Sequence, residues 1–213
     1  MTASLPAISG RLYIARHGET VYNAGRRMQG ALGHTPFTRN GFRQIDAMGT
    51  ALAQRIDAAR PLELWVSPTG RTLQTMAILC EHLGRDWHSS IRDDRLVEIG
   101  MGSWDGRLYG DIIAEEGPIY SEAHGVFTKV APGGGESYAD VRRRLEDWVA
   151  SLTGTTDRLV VMHGVSAVVL RAIVTGPGRA HPVCGTPIAP PVPQGSLVVI
   201  EAGVEQAILV AQP

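Results

Sequence analysis

Lysine is almost missing from this 213-residue chain: of its twenty basic residues only Lys129 is a lysine, and the other nineteen are arginines. Arginine is thus the default cation, and no single arginine stands out by its type alone. Cysteine is scarce as well. Cys80 and Cys184 lie far apart and match no zinc or redox spacing, so thiolate metal sites are excluded and a reducing compartment, by default the cytoplasm, is expected. No window approaches the roughly 18 apolar residues of a membrane span, and the opening "MTASLPAISGRLYIA" lacks the basic stretch and long apolar run of a signal peptide. Neither sign of charge dominates. The net charge is -1 with no long single-sign run, which excludes an evident nucleic-acid footprint. The remaining composition, 44% hydrophobic and 19% charged, is that of a globular chain. Its length suits a single domain over residues 1–213.

Residues 11–15, Leu62 to Ser67 and Arg158 to His163 read as short buried strands. Helical spacing recurs between them. Gly41 to Ile56 places Phe42, Ile45, Met48, Leu52 and Ile56 three and four apart, and Thr72 to Leu83 repeats the pattern with Leu73, Met76, Ala77, Leu79 and Cys80. In "SYADVRRRLEDWVASL" an apolar face runs through Tyr138, Val141, Leu145, Trp148 and Leu152, with Ser137 and Asp140 placed as a capping box. Gly164 to Val174 reads as a buried helix, and "SLVVIEAGVEQAILV" as two strands joined by a tight turn. The expected fold class is α/β, a three-layer sandwich with a mostly parallel central sheet and helices on both faces. Residues 107–136, with a short helix near Asp111, and "GTPIAPPVPQG" are expected to be surface loops.

Ligands of open α/β sheets bind beyond the carboxyl ends of the strands. Arg16 and His17 follow the first strand, Ser67 and then Arg71 the second, and His163 and Gly164 the third. A histidine at a strand end is on its own an ordinary core or surface residue. Two histidines and two arginines at equivalent ends, with helix N-termini supplying N–H groups and partial positive charge, make an anion site.

Five segments, "RHGET" with Asn23, "SPTGR", "LVEIGMGSWDGR", "GGGES" and "VMHG", resemble in order and approximate spacing the histidine phosphatase (phosphoglycerate mutase-like) superfamily. The resemblance spans nearly the whole chain and implies that fold. It also implies that His17 is a nucleophile forming a phosphohistidine, that Arg16, Arg71 and His163 clamp the phosphoryl oxygens with Asn23 and Gly164 in the pocket, and that Glu98 is the general acid and then the base. No metal and no cofactor are implied. The chemistry suits these residue types: phosphoryl transfer is chiefly positioning and charge stabilisation, and the planar guanidinium matches two oxygens at once. A nucleophilic imidazole needs its other nitrogen bonded to fix the tautomer, for which a backbone carbonyl near Gly18 is the expected partner.

The segment "HTPFT" departs from the family's usual acidic residue before Pro-Leu-Thr, with His34 and Phe37 substituted, and Gly70 replaces a bulkier residue before Arg71. Against a phosphoglycerate mutase, residues 99–135 hold only Arg107 and Lys129 as cations, and the extended acid-loop signature is absent. The expectation is therefore a metal-independent phosphomonoesterase acting on a small phosphorylated metabolite. Sugar phosphate, α-ribazole phosphate, nucleotide and phosphopeptide stay open, with 107–136 as the specificity region. A silent phospholigand-binding protein is the alternative of another class, although none of the reactive residues is lost. Membrane and nucleic acid are not expected partners, and a homodimer through an edge strand or a loop is left open.

Overall fold

The computed structural model describes residues 8–176 and 178–209. The strands are β1 (Leu12–Arg16), β2 (Leu62–Val66), β3 (Ile91–Arg92), β4 (Tyr120–Ser121), β5 (Val126–Phe127), β6 (Asp157–Met162), β7 (Leu197–Glu201) and β8 (Val204–Leu209). The helices are α1 (Val21–Ala24), α2 (Arg39–Ala53), α3 (Gly70–Leu83), α4 (Tyr109–Glu116), α5 (Tyr138–Ser151) and α6 (Gly164–Val174). Six strands form one sheet in the order β3-β2-β6-β1-β7-β8. β3, β2, β6 and β1 run parallel, whereas β7 pairs antiparallel with both β1 and β8. The mostly parallel sheet is as expected, and its one reversed strand is β7.

Strand alternation sorts the core into two layers. Leu12, Ile14, Val160, Met162, Val198 and Ile200 join the side covered by α5 and α6. Tyr13, Ala15, Leu159, Val161, Leu197 and Val199 join the side covered by α2 and α3. Both faces are buried, so the strands read as continuous apolar runs and not as alternating ones.

Side chains cap the starts of α1, α2 and α5. Thr38 accepts the Gly41 N–H at 3.0 Å to open α2, and Ser137 with Asp140 forms the expected capping box of α5. α2 begins and ends earlier than its apolar spacing suggests, so Ile56 lies beyond it. Phe42 is exposed and meets Phe37 edge to face; Gly41 takes the buried position beside it.

Residues 107–136 are not a surface loop. They form α4 and the β4–β5 hairpin, and Ile112, Ile119 and Val126 are fully buried in the α5–α6 layer. The apolar residues are too few and too irregularly spaced to show a period, yet together they close a core. "GTPIAPPVPQG" is irregular but also tied down. Its Pro190 and Val192 carbonyls accept from Arg171 and Arg16, and the Ala189 N–H bonds the Val168 carbonyl. The opening residues 1–7, part of the segment argued not to be a signal peptide, lie outside the described residues. Among the described residues no helix is long and apolar enough to cross a membrane, and Cys80 and Cys184 are both free thiols.

Candidate active site

The carboxyl ends of β1 and β6 converge on a cavity of about 510 Å³. Arg16, His17, Asn23, Glu98 and Gly164 line it. His17 is 2% exposed, and its Nδ1 lies 2.8 Å from the Gly18 carbonyl. That bond makes Nδ1 the protonated nitrogen and leaves the Nε2 lone pair free. Burial first, and then the Arg71 and Arg16 charges, hold the His17 imidazole well below the usual histidine range, although the Gly18 carbonyl opposes them. The ring is neutral at neutral pH.

Arg16 ends β1, with one guanidinium nitrogen held by the Val192 carbonyl. Its Nε is a buried donor with no partner among the described residues. Such an orphaned donor is costly unless a ligand satisfies it. Burial depresses the Arg16 pKa and the Glu98 carboxylate raises it. Gly164 is the reason the guanidinium fits: a Cβ there would come within 3.0 Å of Arg16 Nη2.

Arg71 and His163 occupy a layer beneath the cavity. Both are 0% exposed and neither lines the cavity wall. Arg71 Nε donates to His163 Nδ1 at 3.1 Å, and its terminal nitrogens donate to the Leu32 and Gly30 carbonyls at 2.8 Å each. His163 Nε2 therefore carries the proton and donates to Ser67 Oγ at 2.8 Å. The His163 and His17 rings meet edge to face at 5.3 Å. Burial, followed by the Arg71 charge, holds His163 well below the usual histidine range, while burial lowers Arg71 to about 10 and leaves it charged. Gly70 gains a reason here, since a Cβ would come within 3.0 Å of the Gly33 carbonyl in the segment that holds Arg71.

Glu98 reaches the N-terminus of α6. Its Oε1 accepts the N–H groups of Ile99, Val165 and Ser166 at 3.0–3.1 Å, whereas Oε2 accepts only from Val165, at 3.1 Å. Oε2 is thus the freer oxygen. The α6 N–H groups expected to face an anion are in part occupied by this carboxylate, because a helix N-terminus attracts any nearby acid. The first N–H of α3 is likewise taken, by the Gly33 carbonyl. Asn23 Oδ1 accepts the Thr20 N–H at 3.0 Å, which turns its amide nitrogen away as the remaining donor.

Three supports escaped sequence reasoning. Arg144 donates to both Glu136 oxygens and to the Arg95 and Glu98 carbonyls. Glu136 in turn accepts the Gly100 N–H at 2.9 Å, so the Gly-Glu-Ser segment braces the loop that carries Glu98. The third is the aromatic wall of the cavity, Tyr109, Tyr120, Phe127 and Tyr138. His34 is exposed and does not line the cavity, and Phe37 is core. Among the described residues no cluster of side chains could hold a metal ion.

The histidine phosphatase superfamily (branch 1) model matches residues 12–208. The chain belongs to that superfamily. A histidine phosphatase relative from Yersinia pestis (strain Pestoides F), named probable phosphoglycerate mutase GpmB, is 30% identical over 169 residues, 78% of this chain and 75% of its own length. A mycobacterial glucosyl-3-phosphoglycerate phosphatase, solved with VO3, is 26% identical with a TM-score of 0.69, covering 93% of this chain and 97% of its own. Bacillus stearothermophilus YhfR is 27% identical with a TM-score of 0.68, covering 93% and 95%. Membership and neighbours together make this member of the histidine phosphatase superfamily a phosphoryl-transfer enzyme.

Proposed function

We propose that the chain is a single-domain, metal-independent phosphomonoesterase that works through a phosphohistidine. The observation that carries this is the buried neutral His17, anchored at Nδ1, beside a buried Arg16 donor that has no partner. The Nε2 lone pair attacks phosphorus as the bond to the ester oxygen breaks. Glu98 acts as the general acid, passing a proton to that oxygen through Oε2. Water then attacks the phosphohistidine, Glu98 takes the water's proton, and the phosphorus–nitrogen bond electrons return to Nε2. Arg16 stabilises the charge on the equatorial oxygens from the outset. Arg71 joins by exchanging the Gly30 and Leu32 carbonyls for phosphoryl oxygens, His163 by exchanging Ser67 Oγ for one at its Nε2–H, and Asn23 donates alongside them.

Hydrolysis is favoured over a mutase because the two cations of residues 99–135 are engaged elsewhere. Arg107 pairs with Glu115 at 2.6 Å, and Lys129 donates to the Glu116 carbonyl. The GpmB resemblance keeps phosphoglycerate mutase as the second reading. The test is turnover of p-nitrophenyl phosphate and of 3-phosphoglycerate by chelator-treated protein. Phosphate release that vanishes in His17→Ala, together with an acid-labile phosphoprotein, is the expected result. Primer-stimulated phosphoglycerate interconversion faster than phosphate release would select the mutase, and full activity in His17→Ala would refute both.

A further inference from the structure

The cavity has an aromatic wall in a chain poor in aromatics. Only 6% of residues are Phe, Trp or Tyr, yet Tyr109, Tyr120, Phe127 and Tyr138 all line this one hollow. Tyr109 and Phe127 lie nearly parallel, with centroids 6.5 Å apart and an interplanar angle of 24°. Tyr120 meets Phe127 edge to face at 5.3 Å. The wall is therefore a preset aromatic surface, built by α4 and the β4–β5 hairpin. Burial, and then the Glu98 charge, pushes the Tyr109 phenol up to about 12, so its hydroxyl keeps its proton.

Polar side chains complete the lining. Gln29 is bonded to Thr20 at 2.6 Å, and Gln194 precedes Gly195, whose N–H bonds the His17 carbonyl at 3.1 Å. Arg26, Arg27 and Glu122 also line the cavity, and Arg27 donates to the Gly106 carbonyl, so the ring surface is the part of the lining that carries no charge. A polyol placed here would leave hydroxyls unpaired against ring faces, which is costly. A planar uncharged ring would instead stack on them and lose its hydration.

We propose that this enzyme selects phosphomonoesters whose alcohol carries a planar, uncharged aromatic ring, with Phe127, Tyr109 and Tyr120 as the residues that set this preference. The proposal rests on the phosphomonoesterase reading. Its test compares kcat/KM of the metal-free wild-type protein for benzyl phosphate, glycerol 3-phosphate and 3-phosphoglycerate. The benzyl methylene keeps the leaving alcohol close to glycerol in acidity, so a difference reports recognition and not leaving-group chemistry. Benzyl phosphate should be favoured by about ten-fold or more, the value of burying much of one ring, and Phe127→Ser should shrink that ratio to below about threefold. Equal rates, or a preference for either polar substrate, would overturn the proposal and leave the phosphomonoesterase intact. Calorimetric binding of benzylphosphonate against 2,3-dihydroxypropylphosphonate reads the same wall without turnover. Tighter benzylphosphonate binding in a protein that hydrolyses nothing would uphold the wall and refute the activity; equal binding would refute the wall.

Discussion

His17 and His163 should make the fold acid-sensitive in a calculable way. Both imidazoles are buried and held neutral, well below the usual value of 6.5. Above about pH 6.5 they are neutral in folded and unfolded chains alike and contribute no pH dependence. Below it the unfolded chain takes up two protons that the folded chain refuses, so stability is lost as pH falls. With an unfolded value near 6.5 and rings that stay neutral when folded, each histidine costs about 1.4 kcal/mol at about pH 5.5, and the pair about 3 kcal/mol. That is a large fraction of an ordinary folding free energy. The assay is urea unfolding in phosphate-free buffer at about pH 7.5 and about pH 5.5 for the wild type and a His17→Asn, His163→Gln double variant. The other histidines and the carboxylates titrate in both proteins and cancel in the difference. The wild type should lose about 3 kcal/mol more than the variant between these conditions. A difference that does not change with pH would show that both rings take up protons in the fold, and would remove the neutral nucleophile on which the proposed chemistry depends.

Two further substitutions follow from close contacts. Gly164→Ala puts a methyl group 3.0 Å from Arg16 Nη2; kcat/KM on p-nitrophenyl phosphate should fall about tenfold or more as the guanidinium shifts, while the thermal midpoint stays near wild type. Glu63→Ala removes the carboxylate 2.9 Å from the Arg158 guanidinium, which is 1% exposed. Because Glu63 is itself partly exposed and Arg158 keeps the Ser9 and Thr153 carbonyls, the loss should be about 2 kcal/mol in denaturant unfolding, with catalysis unchanged.

The elements most legible in sequence were those with a period or a cap. α5 shows its buried face from Tyr138 to Trp148 and its capping box, and α6 matches its apolar stretch from Gly164 to Val174. Strand ends were legible because a buried apolar run that stops at Arg16 or His163 has little choice of where to stop. α2 was less so. Phe42 fits the helical spacing as well as Gly41 does, and only the close approach of the Glu19 backbone, which leaves no room for a side chain at Gly41, decides which is buried. Residues 107–136 were illegible for a different reason. Their core residues belong to three short elements whose faces meet only after folding.

The sequence by itself determined the family pattern and the chemical identities at the site: one arginine and one histidine after β1, an arginine opening α3, a histidine before α6 and an acid at position 98. Local covalent order and apolar periodicity suffice for that, because both are properties of neighbouring residues. Tertiary structure alone decided the depth and pairing of those groups. It set Arg71 beneath the cavity on the carbonyls of Gly30 and Leu32 and His163 between Arg71 and Ser67, turned Glu98 onto α6, and left the Arg16 Nε without a partner among the described residues. It also assembled the aromatic wall from α4, the hairpin and α5. Burial and hydrogen-bond competition depend on which distant segments arrive at the same place, and no local stretch of sequence encodes that.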